Sequence, residues 1–172
     1  MSRILVVAAA ALVLGGVAGA APSDTYKLTA TLTARAEVPK PSGVRAGATG
    51  AFTGQAVEVS GARARLTWRL TFKRLSGRAV AAHIHVGKPR KAGRVMVALC
   101  GPCRSGQRGR ATISRAQLRT IRAGNAYVNV HTPRNQAGEI RGQVKATRTS
   151  SGSGGSPPPP EPPPPTEPPI YP

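Results

Sequence analysis

Acidic residues are scarce in this chain of 172 residues: six Asp plus Glu stand against 25 Lys plus Arg, for a formal charge of +19 at pH 7. Only Asp24, Glu37, Glu58 and Glu139 precede the proline-rich C-terminus, which leaves little for a hydrolase built on paired carboxylates. Aromatics amount to 3% of the residues. A binder of single-stranded nucleic acid would lack stacking platforms, so nucleic acid is not the expected partner despite the charge. The longest apolar run, Ile4 to Val17, covers about fourteen residues where a span needs ~20, and no second run follows. A polytopic membrane protein is excluded. With 20 Gly and 17 Pro, a helical bundle is excluded as well. No Gly-rich phosphate loop leads from a strand into a helix, and no serine sits in a nucleophile motif.

What the chain does contain falls into four segments. Residues 1–20 are expected to be a secretory signal peptide, with Arg3 as the positive start, Ile4 to Val17 as the apolar stretch and Ala18-Gly19-Ala20 as the small-x-small cleavage site. A retained anchor is the alternative. Residues 21–147 carry the patterned sequence of one domain. Residues 148–156 read as a Gly/Ser linker, and residues 157–172 as an extended proline-rich tail that acts as a spacer. The expected localisation is secreted or cell envelope, with no transmembrane span after cleavage and a monomeric domain.

Within the domain the pattern is alternation. Ala62, Ala64, Leu66, Trp68, Leu70 and Phe72 interleave with Arg63, Arg65, Thr67, Arg69, Thr71 and Lys73, and Tyr26 to Arg35 alternate similarly. Period two marks half-buried strands with one solvated face. Further strands are expected at 50–59, 78–86, 94–99, 126–131 and 139–147, with Gly, Pro, Ser or Asn between them. The set indicates an all-β, antiparallel sandwich or barrel. One short helix interrupts it: Ser114 caps, Gln117 takes the capping-box position, Leu118 and Ile121 face inward and Gly124 ends it.

The three histidines all fall in strands. Val80, Ala82, Ile84 and Val86 form one face, which puts His83 and His85 on the other; Tyr127, Asn129 and His131 lie opposite Val128 and Val130; Glu139 and Arg141 lie opposite Ile140. His-x-His on a strand sets two imidazoles on one face about 7 Å apart at Cα. His131 from a neighbouring strand completes a three-His site for copper or zinc, two metals that imidazole spacing does not separate. Tyr127, Asn129, Glu139 and Arg141 are the expected supporting residues around it. The alternative is a structural cluster, with the histidines hydrogen-bonded to loops and to Glu139.

Glu37-Val38-Pro39, Ala82-His83-Ile84-His85-Val86-Gly87, Gly124-Asn125-Ala126-Tyr127-Val128-Asn129-Val130-His131-Thr132 and Gly138-Glu139-Ile140-Arg141-Gly142-Gln143 resemble the chordin-type (CHRD) domain family in order and spacing. The resemblance implies a secreted, immunoglobulin-like sandwich or barrel, here of about seven or eight strands with one short helix, and no established activity. A second resemblance is to copper-zinc superoxide dismutases, whose His-x-His strand, later strand His and following Arg match His83, His85, His131 and Arg141. It implies copper redox chemistry with Arg141 guiding an anion. No fourth His and no zinc-ligand set follow, in departure from that family.

Cys100-Gly101-Pro102-Cys103 copies a thioredoxin-type spacing, but Arg104 to Gly109 read as turn rather than helix. A structural disulfide is expected, with a redox pair or a metal site as alternatives. Arg63, Arg65, Arg69 and Lys73 on one strand face, and Lys88, Arg90, Lys91 and Arg94 after the His strand, suit anionic envelope polymers or acidic polysaccharides; a merely solvated face is the alternative. Three functions remain open: an extracellular binding module with the His83/His85/His131 metal site, a copper-dependent dismutase-like redox protein, and a structural or adhesive envelope protein. An enzyme is not the favoured reading, because catalysis needs an open ligand position and a substrate pocket that the sequence does not display.

Overall fold

The structure is a computed structural model that describes residues 23–59 and 62–149. The expected signal peptide and the proline-rich tail lie outside the described residues. The elements are β1 (Thr25–Thr33), a 3-10 turn (Ala34–Ala36), β2 (Thr49–Glu58), β3 (Arg63–Lys73), β4 (Ala81–Val86), β5 (Val95–Cys100), β6 (Gln107–Ser114), α1 (Arg115–Arg122), β7 (Ala126–His131), β8 (Ile140–Gln143) and β9 (Lys145–Thr149). The described residues are all-β with one helix, and the strands follow the alternation.

The strands follow the order β5-β4-β7-β8-β1-β2-β3-β6, antiparallel throughout, and β9 pairs with β1. The two end strands, β5 and β6, come into contact without pairing, so the sheet nearly closes into a barrel. The long β1–β2–β3 meander follows from the clean period-two pattern: Leu28, Leu32, Phe52, Leu66 and Leu70 are fully buried on the inner face. Burial of each contributes roughly 1.5–3 kcal/mol. The 139–147 strand differs from its expectation by breaking at Val144. β8 pairs with β7, and after Val144 donates to the Ala126 carbonyl (2.9 Å) the chain leaves β7 and continues as β9 on β1.

Strand β6 has no counterpart among the expected strands. Its inward positions include Gly109 and Ala111, too small to produce a visible apolar stripe. The reason is local packing. Trp68 on β3 pairs with Gly109, and a Cβ at Gly109 would lie 2.3 Å from the Trp68 Cζ2. The indole fills the space a side chain would have taken. The helix forms as its sequence dictates. Gln117 N donates to Ser114 Oγ (3.1 Å), Ser114 N donates to Gln117 Oε1 (2.7 Å), Leu118 and Ile121 are buried, and Gly124 adopts φ +70°.

The largest departure concerns the face that carries the histidines. Alternation predicts a solvated side on β4, β7 and β8, yet all six residues of β7 are buried, and Glu139 and Arg141 are 0% and 1% exposed. The segments around 37, 87–93 and 132–138 fold over that face and bring their own carbonyls with them. The site expected on an outer sheet face is therefore an interior, polar one.

Candidate metal centre

β4 and β7 are adjacent, with His83 paired to Asn129, His85 to Tyr127 and Ala81 to His131. This register sets the three imidazoles together. Ring centroids are 4.9 Å apart for His83 and His131, 5.6 Å for His83 and His85, and 5.9 Å for His85 and His131. One potential ligand atom from each lies within 4.8 Å of the others.

The outward-turned nitrogens are fixed by the covering loops. His85 Nδ1 lies 2.9 Å from the Gly93 carbonyl and His131 Nδ1 lies 2.8 Å from the Gln136 carbonyl. A carbonyl oxygen can only accept, so both Nδ1 atoms carry the proton and both Nε2 atoms present lone pairs. This is how metal-binding histidines are commonly oriented. His131 Nε2 meets His83 Nδ1 at 3.0 Å, close to the ~3.3 Å edge of a tetrahedron with Zn–N bonds of about 2.0 Å. His85 Nε2 is buried without a well-formed hydrogen bond, and the Asn129 side chain is the polar group beside the His85 ring. A proton on His83 Nδ1 makes the first contact a hydrogen bond; a metal ion among the three imidazoles would take one lone pair from each instead.

Burial keeps the imidazoles neutral. It lowers the His83 pKa to about 4, aided by the like charges that His131 and His85 would carry. Burial also lowers His85, with Arg141 adding to the effect against hydrogen bonds to Gly93 and the Asn129 side chain, and lowers His131 against its Gln136 hydrogen bond. Neutral imidazole is the form a metal binds.

The supporting residues are arranged differently from a simple ring around the histidines. Tyr127 stacks on His85 (4.9 Å, 13° between planes), and the Arg141 guanidinium sits 3.4 Å from the centre of the same Tyr127 ring. Arg141 Nη2 donates to the Lys88 and Lys91 carbonyls at 3.0 and 2.9 Å, so it pins the loop after β4. Asn129 Nδ2 donates to the Ala137 carbonyl. Glu139 makes no hydrogen bond to a histidine; it accepts instead from Ser76 N and Oγ, Thr132 Oγ1 and Asn135 Nδ2. Burial pushes its pKa up, but these donors outweigh burial and hold it below the ordinary carboxylate value. Sequence reasoning missed Ser76, Gly93 and Gln136. The last two act through backbone carbonyls, which no residue type advertises.

A family model for the CHRD domain matches residues 28–144. The chain belongs to the CHRD domain family. No curated protein and no solved structure matches it. The matched region of this CHRD domain contains all three histidines, their covering loops, Glu37 and Arg141. It also contains Cys100 and Cys103, which lie at disulfide-bonding distance with Cα atoms 5.3 Å apart. They sit at the end of β5, where Cys103 N donates to the Ala79 carbonyl. The chain runs from Cys103 into β6, so no helix begins at either cysteine.

Proposed function

We propose that this CHRD domain is an extracytoplasmic binding module whose His83 Nδ1, His85 Nε2 and His131 Nε2 hold one copper or zinc ion. The observation that carries the reading is the convergence of the three imidazoles, one potential ligand atom of each within 4.8 Å of the others, with His85 turned toward the other two by its Gly93 hydrogen bond. A buried acceptor without a well-formed hydrogen bond costs about 1–3 kcal/mol, and a coordinate bond removes that cost. When bound, copper would supply one-electron redox chemistry and zinc Lewis acidity. Around it the Gly93 and Gln136 carbonyls hold the ligand tautomers, Tyr127 fixes the His85 ring plane, and the half-buried His83 leaves the side from which an ion enters.

The dismutase-like alternative needs Arg141 free to guide an anion. Its guanidinium lies against the Tyr127 ring, Nη2 is committed to the Lys88 and Lys91 carbonyls and Nη1 is buried, which favours a binding module over a redox enzyme. The partners proposed for the module are anionic envelope polymers or acidic polysaccharides, because Arg63, Arg65, Arg69, Arg108 and Arg110 stand exposed on the outer face of β3 and β6. Thermal denaturation tests the metal. Zinc or copper raises the Tm of the wild-type protein and leaves that of His83→Ala/His85→Ala/His131→Ala unchanged; equal melting with and without metal sinks the proposal.

A further inference from the structure

The strand register sets two parallel rows of outward side chains across β9, β1, β2, β3 and β6. One row runs Lys145, Thr29, Thr53, Arg69, Arg108. The next, two residues further along each strand, runs Thr147, Lys27, Gln55, Thr67, Arg110. All of these side chains are exposed or half-buried, and each carries a hydroxyl, an amide or a positive charge. Neither row contains an acidic, apolar or aromatic residue. The row between them belongs to the core: Leu28 and Trp68 turn inward, and Gly54 and Gly109 have no side chain. The result is a trough about 7 Å across at Cα and roughly 19 Å long, from the two-residue step and five strands ~4.8 Å apart. Its β2–β3–β6 end is a depression of about 530 Å³.

The charges in the trough are uncompensated. The ion pairs among the described residues join Glu58 to Arg115 and Arg122, and Asp24 to Arg148, all outside the two rows. Arg69 and Arg108 are direct partners in the ladder, and Arg110 lies diagonally from Arg69. Like charges so placed oppose folding, and an anion between them removes the repulsion. A carboxylate has two oxygens and fills one guanidinium fork. A sulfate ester presents three terminal oxygens at one point and reaches two forks at once. Thr53, Gln55 and Thr67 line the same depression and offer hydrogen-bond partners to sugar hydroxyls. Single-stranded nucleic acid needs aromatic rings to stack on, and an anionic membrane needs apolar side chains to enter the lipid. The rows supply neither.

We propose that this trough binds a sulfated polysaccharide laid across the strands, with its sulfate esters on Arg69, Arg108 and Arg110 and its hydroxyls on Thr53, Gln55 and Thr67. The proposal rests on the reading of the arginine face as a polysaccharide surface, names the acid group that the surface prefers, and does not depend on the metal.

The test measures binding of the purified protein to dextran sulfate at physiological salt, beside carboxymethyl-dextran of matched charge density, plain dextran and single-stranded DNA. Arg69→Gln/Arg108→Gln is compared with Arg35→Gln/Lys40→Gln, which removes the same charge from exposed positions outside the trough. Dextran sulfate is expected to bind more tightly than the other three. Its Kd rises by about fivefold or more in the trough variant and stays near the wild-type value in the control variant. Equal affinity for the sulfated and carboxymethylated polymers overturns the sulfate assignment and leaves an acidic polysaccharide surface. An equal loss in both variants shows that net charge alone holds the polymer and overturns the trough. Tighter binding of DNA overturns the proposal, and no binding of either acidic polymer overturns it together with the polysaccharide reading.

Discussion

His85 donates from Nδ1 to the carbonyl of Gly93 at 2.9 Å, and this contact decides that Nε2 faces His83 and His131. Gly93 also donates its N–H to the Tyr127 hydroxyl at 3.1 Å, so one loop residue holds both members of the His85–Tyr127 stack. A Cβ at Gly93 would lie 1.7 Å from the Val86 carbonyl oxygen. Gly93→Ala must therefore displace the loop and withdraw the carbonyl from His85. Metal affinity is expected to fall by about 10–100-fold, the usual effect of losing a partner behind a ligand. Calorimetric titration with zinc checks this, and unchanged affinity would show that the Gly93 carbonyl does not orient His85.

Arg141 acts on the same loop from the other side. Arg141→Met removes the donors to Lys88 and Lys91 and leaves two carbonyls to find water. The expected loss is about 2–4 kcal/mol of unfolding free energy, read from urea denaturation. Hydrogen exchange should quicken at 88–91. Arg141→Lys keeps the charge but not the planar fork, and is expected to recover only a minor part of the stability.

Glu139 gives the fold an acid-sensitive anchor. Its pKa in the folded protein lies below the ordinary 4.5, because the Ser76, Thr132 and Asn135 donors overcome burial and favour the carboxylate. Its contribution is thus fully present above about pH 4.5 and is lost as pH falls through the lower folded value. Glu139→Gln should cost roughly 2–4 kcal/mol at neutral pH and flatten the acid limb of the stability curve. Parallel acid limbs for the two proteins would contradict the assignment.

The Cys100–Cys103 link closes a short loop at the end of β5. Loop-closure entropy for so few residues amounts to only about 2 kcal/mol. Cys100→Ser/Cys103→Ser is expected to remain folded with that modest loss, and the native wild-type protein to resist thiol labelling without reductant. Ready labelling of both sulfurs would mean that no bond forms.

Much of this was legible in the chain. The β3 alternation from Ala64 to Phe72, the His83/His85 face, the Ser114–Gln117 capping box and the pairing of the His131 and Glu139–Arg141 strands follow from periodicity and spacing. The pairing of the His131 strand with the His-x-His strand spans β5, β6 and the helix and has no local signal. Strand β6 was illegible because Gly109 owes its place to the Trp68 ring across the ladder, a tertiary fact with no local pattern. The burial of the polar face was illegible for a related reason. Asn129, Glu139 and Arg141 alternate as surface residues do, and only the loops that fold over them, through Gly93, Gln136, Lys88 and Lys91, turn that surface into an interior. Glu139 was expected among the histidines. It is drawn instead to Ser76, Thr132 and Asn135, which supply more donors than neutral imidazoles could.

The most direct test of the metal centre is calorimetric titration of the purified protein with zinc and with copper, beside His83→Ala/His85→Ala/His131→Ala. The geometry predicts one ion per chain, bound by the wild type and lost in the variant. Absence of binding in the wild type, or the same binding in both proteins, would contradict it and leave the three histidines as a buried cluster that ties β4 to β7.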